Sequence, residues 1–203
     1  MTPTSEGPRL GVFGGTFDPI HLGHLEVAED CARKLDLDPV LMVPSNLPPH
    51  RAQPRASAQD RMAMVQLAVI GYQRLRASDL EVRRGGVSYT VDTIRALRQE
   101  YPAAEITLLL GWDAVEEFAG WRDTAEVTRL ARIAVFNRAG SPAPDRTILD
   151  ELGLPPDTAV LEVASPAVSA TSVRRLLAEA RPGAAVLPPA VEEYIRENGL
   201  YRE

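Results

Sequence analysis

The stretch Leu10-Gly11-Val12-Phe13-Gly14-Gly15-Thr16-Phe17-Asp18-Pro19-Ile20-His21-Leu22-Gly23-His24 decides how the rest of the chain is read. Leu10 to Phe13 has the character of a short buried strand, and the Gly14-Gly15 pair stops it. A helical period follows in Leu22, Leu25, Ala28, Ala32 and Leu35, with charged residues between them. Paired glycines let backbone amides approach a ligand closely. A helix that starts there aims unpaired N–H groups and its positive dipole end at the same point. His21 and His24 are three apart, so both sit on one face of the first turn, and Gly23 leaves room beside them. Two imidazoles in that place suit a polyphosphate. The loop is not a Walker A sequence, because no Gly-Lys-Ser/Thr follows, and Gly-x-Gly-x-x-Gly is absent too. Metal ligation by the two histidines lacks the accompanying Glu or Cys that a zinc site needs.

Outward from this unit the alternation continues. Val40 to Val43 reads as a second strand, ended by Pro44, and Pro44 to Arg55 holds four prolines without an apolar period, so it is a loop. Ser57 is placed to cap a helix running to about Arg74, with Met62, Val65, Val69 and Tyr72 inward. Leu80 to Val82 reads as a short strand and Thr90 to Tyr101 as a helix. Ile106 to Leu110 is a continuously apolar strand closed by Gly111. Asp123 is expected to cap a short helix, with strands at Arg132 to Phe136 and Ala159 to Val163. Helices from Thr171 to about Ala180 and from Pro189 to about Asn198 finish the chain, the last with Pro at its start and Gly199 past its end. This predicts an α/β fold: a Rossmann-like, doubly wound parallel sheet with helices on both faces and a C-terminal helical appendage. One domain over 1–203 is the economical division, with about 165–203 as the helical part. In such sheets ligands sit outside the carboxyl ends of the strands, where strand order reverses. All three histidines, His21, His24 and His50, fall in or just after the first two strand-end loops.

Composition narrows the chemistry. Of 22 basic residues all but Lys34 are arginine, so lysine-based covalent chemistry has one address only. A formal charge of −6 argues against a nucleic-acid footprint. The lone Cys31 excludes an internal disulfide; on the first helix it reads as a small buried hydrophobe. No apolar run is long enough to span a bilayer, and the polar N-terminus lacks a signal-peptide core. A cytoplasmic protein is expected, with neither membrane nor nucleic acid as a partner; homo-oligomerisation is left open.

The Gly14–His24 block resembles the signature of the His-x-Gly-His nucleotidyltransferases, and the remaining blocks resemble their bacterial nicotinate-mononucleotide adenylyltransferase branch. Those blocks are Pro44-Ser45-Asn46-Leu47-Pro48-Pro49-His50-Arg51, Ser88-Tyr89-Thr90-Val91-Asp92-Thr93 and Gly111-Trp112-Asp113 followed by Trp121. They continue with Val168-Ser169-Ala170-Thr171-Ser172-Val173-Arg174 and the ending Val191 to Tyr201. The resemblance implies attack of the nicotinate mononucleotide 5′-phosphate on the α-phosphorus of ATP, giving nicotinate adenine dinucleotide and pyrophosphate without a covalent enzyme intermediate. It implies His21, His24 and Arg174 as catalytic residues. Gly14, Gly15, Gly111, Asp113, Ser169 and Thr171 would join those three in binding ATP. Thr16, Asn46, His50, Arg51, Tyr89, Thr90, Trp121 and Arg138 would bind the mononucleotide, with Thr90 receiving the pyridine carboxylate and Trp121 stacking on the ring. Mg²⁺ would be held mainly by phosphate oxygens rather than by the protein. The 44–55 loop would be a mobile lid.

Three positions depart from the family pattern: Arg51 for Lys, Ala170 for the middle Ser of Ser-Ser-Thr, and Ala139 for Pro in Arg-Pro-Gly. Asp18 reads as a buttress of its turn, and Arg83, Arg84, Arg175 and Lys34 as solvated charges. Alternatives at this point are a related transferase acting on phosphopantetheine or a polyol phosphate, and a nucleotide-binding protein without catalysis.

Overall fold

The computed structural model describes residues 7–49, 52–137, 146–163, 166, 168–179 and 186–202. The strands β1 (Arg9–Gly15), β2 (Val40–Pro44), β3 (Leu75–Ala77), β4 (Glu105–Gly111), β5 (Arg132–Phe136) and β6 (Ala159–Leu161) form one sheet in the order β3-β2-β1-β4-β5-β6. Every pairing is parallel, as the predicted alternation requires. A parallel sheet covered on both faces needs apolar side chains on both, and the central strands supply them by their two-residue period. Along β2, Val40 and Met42 point into one core while Leu41 and Val43 point into the other. Phe136 and Ala134 of β5 alternate in the same way with Val135 and Ile133.

On the first face lie α1 (Leu22–Lys34), α2 (Ala58–Ala68), α8 (Ala170–Ala178) and α9 (Pro189–Glu197), which bury Leu25, Val65, Val173 and Ile195 against the sheet. On the second lie α4 (Thr90–Glu100), α5 (Trp112–Glu116), α6 (Thr124–Leu130) and α7 (Arg146–Glu151), which bury Ile94, Val115, Val127 and Leu149. Each such side chain withdrawn from water contributes ~1.5–3 kcal/mol. The C-terminal helices thus share the sheet's own core. Cys31 is wholly buried there, and burial pushes its thiol pKa up to about 12, which keeps it protonated and unreactive. No helix among the described residues is long and apolar enough to cross a membrane.

Several elements differ from the sequence reading. Leu80 to Val82 is not a strand: it lies in the short helix α3 (Leu80–Arg84), and the strand that pairs with β2 is Leu75–Ala77. Two apolar residues flanking Glu81 fit one helical turn as well as an alternating strand. The Ser57 cap is present, its side chain accepting from the Asp60 N–H at 3.1 Å, but the helix ends at Ala68. The chain then turns through Gly71 at φ +92° to enter β3. Asp123 stands at the N-cap of α6 with φ 52° and no side-chain cap; its carboxylate faces Arg95 and Arg122 instead. Helices α5 and α7, of five and six residues, are too short to show a helical period.

Strand order runs outward in both directions from the neighbouring β1 and β4, so the crevice at their carboxyl ends is the topological switch point. Gly15 and Gly111 close those two strands.

Candidate active site

The turn after β1 is held under strain. Phe17 has φ 49°, a left-handed conformation that costs an aromatic residue ~1–2 kcal/mol. Packing holds it there: its ring is 3% exposed and stands edge-on to Phe13 (5.8 Å) and His24 (5.1 Å). Gly14 is exposed, and a Cβ on it would meet nothing within 4 Å, so its backbone faces open space.

His21 occupies the N-cap of α1, and its ring stacks on that of His24 at 3.7 Å and 20°. The backbone N–H of His21 donates to Nδ1 of His24 at 3.3 Å. Nδ1 is therefore an acceptor, which places the proton of the neutral His24 ring on Nε2. Gly23 is required for a reason the spacing did not specify. A Cβ there would lie 2.8 Å from Cγ1 of Val168 and 3.2 Å from Nδ1 of His21. What passes close to α1 at this point is thus the segment leading into α8.

Helix α8 begins at Ser169, whose hydroxyl accepts from the Ser172 N–H at 3.1 Å while the Ser169 N–H donates back to Ser172 Oγ at 3.1 Å. The Ser169 hydroxyl therefore serves first as a helix cap. Ala170, the departure from the family pattern, is the first helical residue and takes no part in this exchange. Thr171 is exposed, and Arg174 Nη2 donates to its hydroxyl at 3.2 Å. Arg174 Nη1 donates to the main-chain oxygen of Asp18 at 2.7 Å and lies 3.8 Å from its carboxylate. A link 156 residues long in sequence thus brings the α8 arginine to the His21/His24 turn.

Asp18 is the buttress expected of it. Its buried carboxylate accepts from the N–H groups of Arg55 (2.8 Å) and Ala56 (3.1 Å) and from the hydroxyl of Tyr201 (2.8 Å). Burial, with Asp18 beside it, drives the Tyr201 phenol far above its ordinary pKa, so it remains a donor.

The second half of the crevice comes from β2, α3, α4 and the segment after α5. Asn46 donates from its backbone N–H to Ser88 Oγ at 2.8 Å and from its side chain to the Gly86 carbonyl at 2.9 Å. Leu47 and Val87 form an isolated parallel bridge. Thr90 is the first residue of α4 and Tyr89 its N-cap, so this helix start faces the loops. The Arg122 guanidinium lies 4.9 Å over the Tyr89 ring. Trp121 packs on Phe118, and its buried indole Nε1 has no hydrogen-bond partner among the described residues. Glu81 is buried beneath; burial raises its pKa, against hydrogen bonds from Thr93 and Ser88. Gly111 is the N-cap of α5 and Asp113 is exposed in its first turn, beside the end of β1.

Of the residues named from sequence, Gly14, Gly15, Thr16, His21, His24, Ser169, Thr171 and Arg174 meet around the turn after β1. Asn46, Tyr89, Thr90, Trp121, Gly111 and Asp113 stand along the same carboxyl edge. His50, Arg51 and Arg138 lie outside the described residues. Arg84 and Lys34 are not merely solvated: Arg84 donates to the Thr93 hydroxyl at 3.2 Å, and Lys34 pairs with Asp30 at 2.8 Å. Arg61 escaped the sequence reading altogether. It is 1% exposed and donates to Thr16 O (2.7 Å), Asn46 O (3.0 Å) and Ala56 O (3.3 Å). Its place four and seven residues before the buried Val65 and Ala68 was the available signal.

The carboxyl edge at the switch point thus brings together a histidine pair at a helix start and an arginine from a second helix. The chain belongs to the cytidylyltransferase-like family, whose model matches residues 12–176, and within it to the nicotinate-nucleotide adenylyltransferases. It is 41% identical to a protein of Pseudomonas fluorescens across 97% of this chain and 98% of that one. It is 40% identical to one of Thermomicrobium roseum across 96% and 92%. Both relatives bear the name "Probable nicotinate-nucleotide adenylyltransferase". Among solved structures, nicotinic acid mononucleotide adenylyltransferase of Plasmodium falciparum complexed with NaAD superposes with a TM-score of 0.79 at 16% identity, covering 96% of this chain and 97% of that chain. At that identity the likeness speaks for the fold.

Proposed function

We propose that this protein transfers the adenylyl group of ATP to nicotinate mononucleotide, acting in the cytoplasm in NAD biosynthesis. An oxygen of the mononucleotide 5′-phosphate forms a bond to the α-phosphorus, the bond from that phosphorus to the β-phosphate oxygen breaks, and pyrophosphate leaves with the electron pair. No protein group is acylated or adenylylated on the way. Transfer of this kind asks the protein for alignment and charge stabilisation more than for covalent help.

The observation that carries this reading is the stacked His21/His24 pair at the start of α1, with Arg174 fastened to the same turn through Asp18. His24 Nε2–H and His21 stabilise charge growing on the α-phosphate and the departing pyrophosphate. Arg174 and Thr171, with Ser169 and the start of α8, receive the β- and γ-phosphates. Gly14 and Gly15 bring main chain close to the triphosphate, while Gly111 and Asp113 meet the adenosine ribose. On the acceptor side Thr16, Asn46, His50, Arg51 and Arg138 hold the mononucleotide. Thr90, at the start of α4, donates to the pyridine carboxylate, and Trp121 stacks on the ring beside Tyr89.

Mg²⁺ would be carried mainly on the phosphate oxygens of ATP rather than in a protein cage. When bound, the ion neutralises part of the triphosphate charge.

The test is an assay with ATP, Mg²⁺ and each of two acceptors, nicotinate mononucleotide and its amide analogue, side by side. Strong preference for the acid is expected. Equal rates would overturn the carboxylate reading of the α4 helix start, and no dinucleotide with either acceptor would overturn the reaction.

A further inference from the structure

Arginine is seldom buried unless fully bonded, yet Arg61 is among the largest side chains in the molecule that are shut off from solvent. Its guanidinium donates to three main-chain carbonyls: Nη1 to Thr16, Nη2 to Asn46 and Nε to Ala56. Among the described residues no carboxylate comes within ion-pair distance of it. Burial pulls its pKa below the ordinary arginine value, and Asp18, Tyr201 and Glu81 oppose that pull from further off. A site that needed only filling would accept an apolar side chain of similar volume without loss. What an apolar residue cannot do is hold the loop after β1 and the loop after β2 at a fixed separation. A planar fork with two divergent N–H groups can.

Thr16 and Asn46 are the mononucleotide-side residues of those two loops whose carbonyls Arg61 holds. The ATP side has fastenings of its own, His24 by the backbone of His21 and Arg174 by Asp18, and Ala56 links the two sets, its carbonyl accepting from Arg61 and its N–H donating to Asp18. We propose that Arg61 is a positioning residue for the mononucleotide, acting through Thr16 and Asn46 and leaving the ATP site in place. The proposal rests on the acceptor assignment made above, and its test separates the two.

Arg61→Lys and Arg61→Gln are compared with the wild-type protein in three measurements: KM for each substrate, Kd for nicotinate mononucleotide by isothermal titration calorimetry without ATP, and thermal unfolding by circular dichroism. In both variants KM and Kd for the mononucleotide are expected to rise about tenfold or more, while KM for ATP stays within about threefold. The lysine variant is the milder, because its long charged side chain still reaches one of the two loop carbonyls, which the shorter, neutral glutamine does not. Parallel rises in both KM values, a lowered melting temperature with unchanged mononucleotide Kd, or failure of both variants to fold would each make Arg61 a holder of the core and overturn the proposal. Wild-type protein that binds the mononucleotide but makes no dinucleotide would overturn the reaction while the Kd values still judge Arg61. Wild-type protein that does not bind it would overturn both.

Discussion

The two edges of the sheet use the same residue type for different work. At the amino edge Arg9 and Arg132 flank Glu105 at 3.9 and 3.2 Å, with side chains 37–61% exposed. Exposed pairs of that kind contribute ~0–1 kcal/mol. Arg98, half-buried nearby, ties the Ala104 and Leu130 carbonyls, which belong to connections that only lead into strands. At the carboxyl edge Arg61 and Arg174 are drawn away from water and fastened to carbonyls of the very loops that form the crevice. The charge matters less than where it is aimed. A guanidinium in solvent decorates a surface, whereas one buried among loop carbonyls fixes the geometry of a site.

The comparison is broken or sharpened by substitution at each edge. His24→Ala is expected to cost the most, lowering kcat about 10²–10³-fold with the melting temperature nearly unchanged; near-normal turnover would remove His24 from the catalytic set. Arg174→Ala should follow with a loss of about tenfold or more in kcat/KM for ATP, because both its anchor on Asp18 and its charge disappear. Steady-state kinetics at varied ATP checks this. Gly23→Ala should cost ~1–3 kcal/mol of stability in chemical denaturation, since the new methyl falls 2.8 Å from Val168. Adding Val168→Ala should recover part of that loss. Glu105→Gln, at the amino edge, should change stability by no more than about 0.5 kcal/mol and leave turnover alone. A large effect there would erase the distinction between the edges.

Much of this was legible in the chain. Gly14-Gly15 after an apolar strand, followed by His21 and His24 at helical spacing, announced a strand, a turn and a helix start. The strand pattern at 40–43, 106–110 and 132–136 announced a parallel sheet. Helix boundaries with chemical punctuation, such as Ser57 and the Pro189/Gly199 pair, were readable for the same reason. Short elements were not: Leu75–Ala77 is a three-residue strand with exposed Arg76 at its centre, and it becomes a strand by pairing with β2. Nor were the long-range fastenings. Asp18 meets Tyr201 across 183 residues, and Arg61 meets Thr16 across 45, and no local period encodes either contact. An arginine on a helix reads as solvated until the fold closes over it.

Direct transfer between two bound nucleotides is tested most plainly by following pyrophosphate from ATP labelled in its adenylyl group, with and without nicotinate mononucleotide. Pyrophosphate should appear only when the mononucleotide is present, in amounts equal to the dinucleotide formed, with no label left on the protein. A burst of pyrophosphate from ATP alone, with label retained on the chain, would contradict the account.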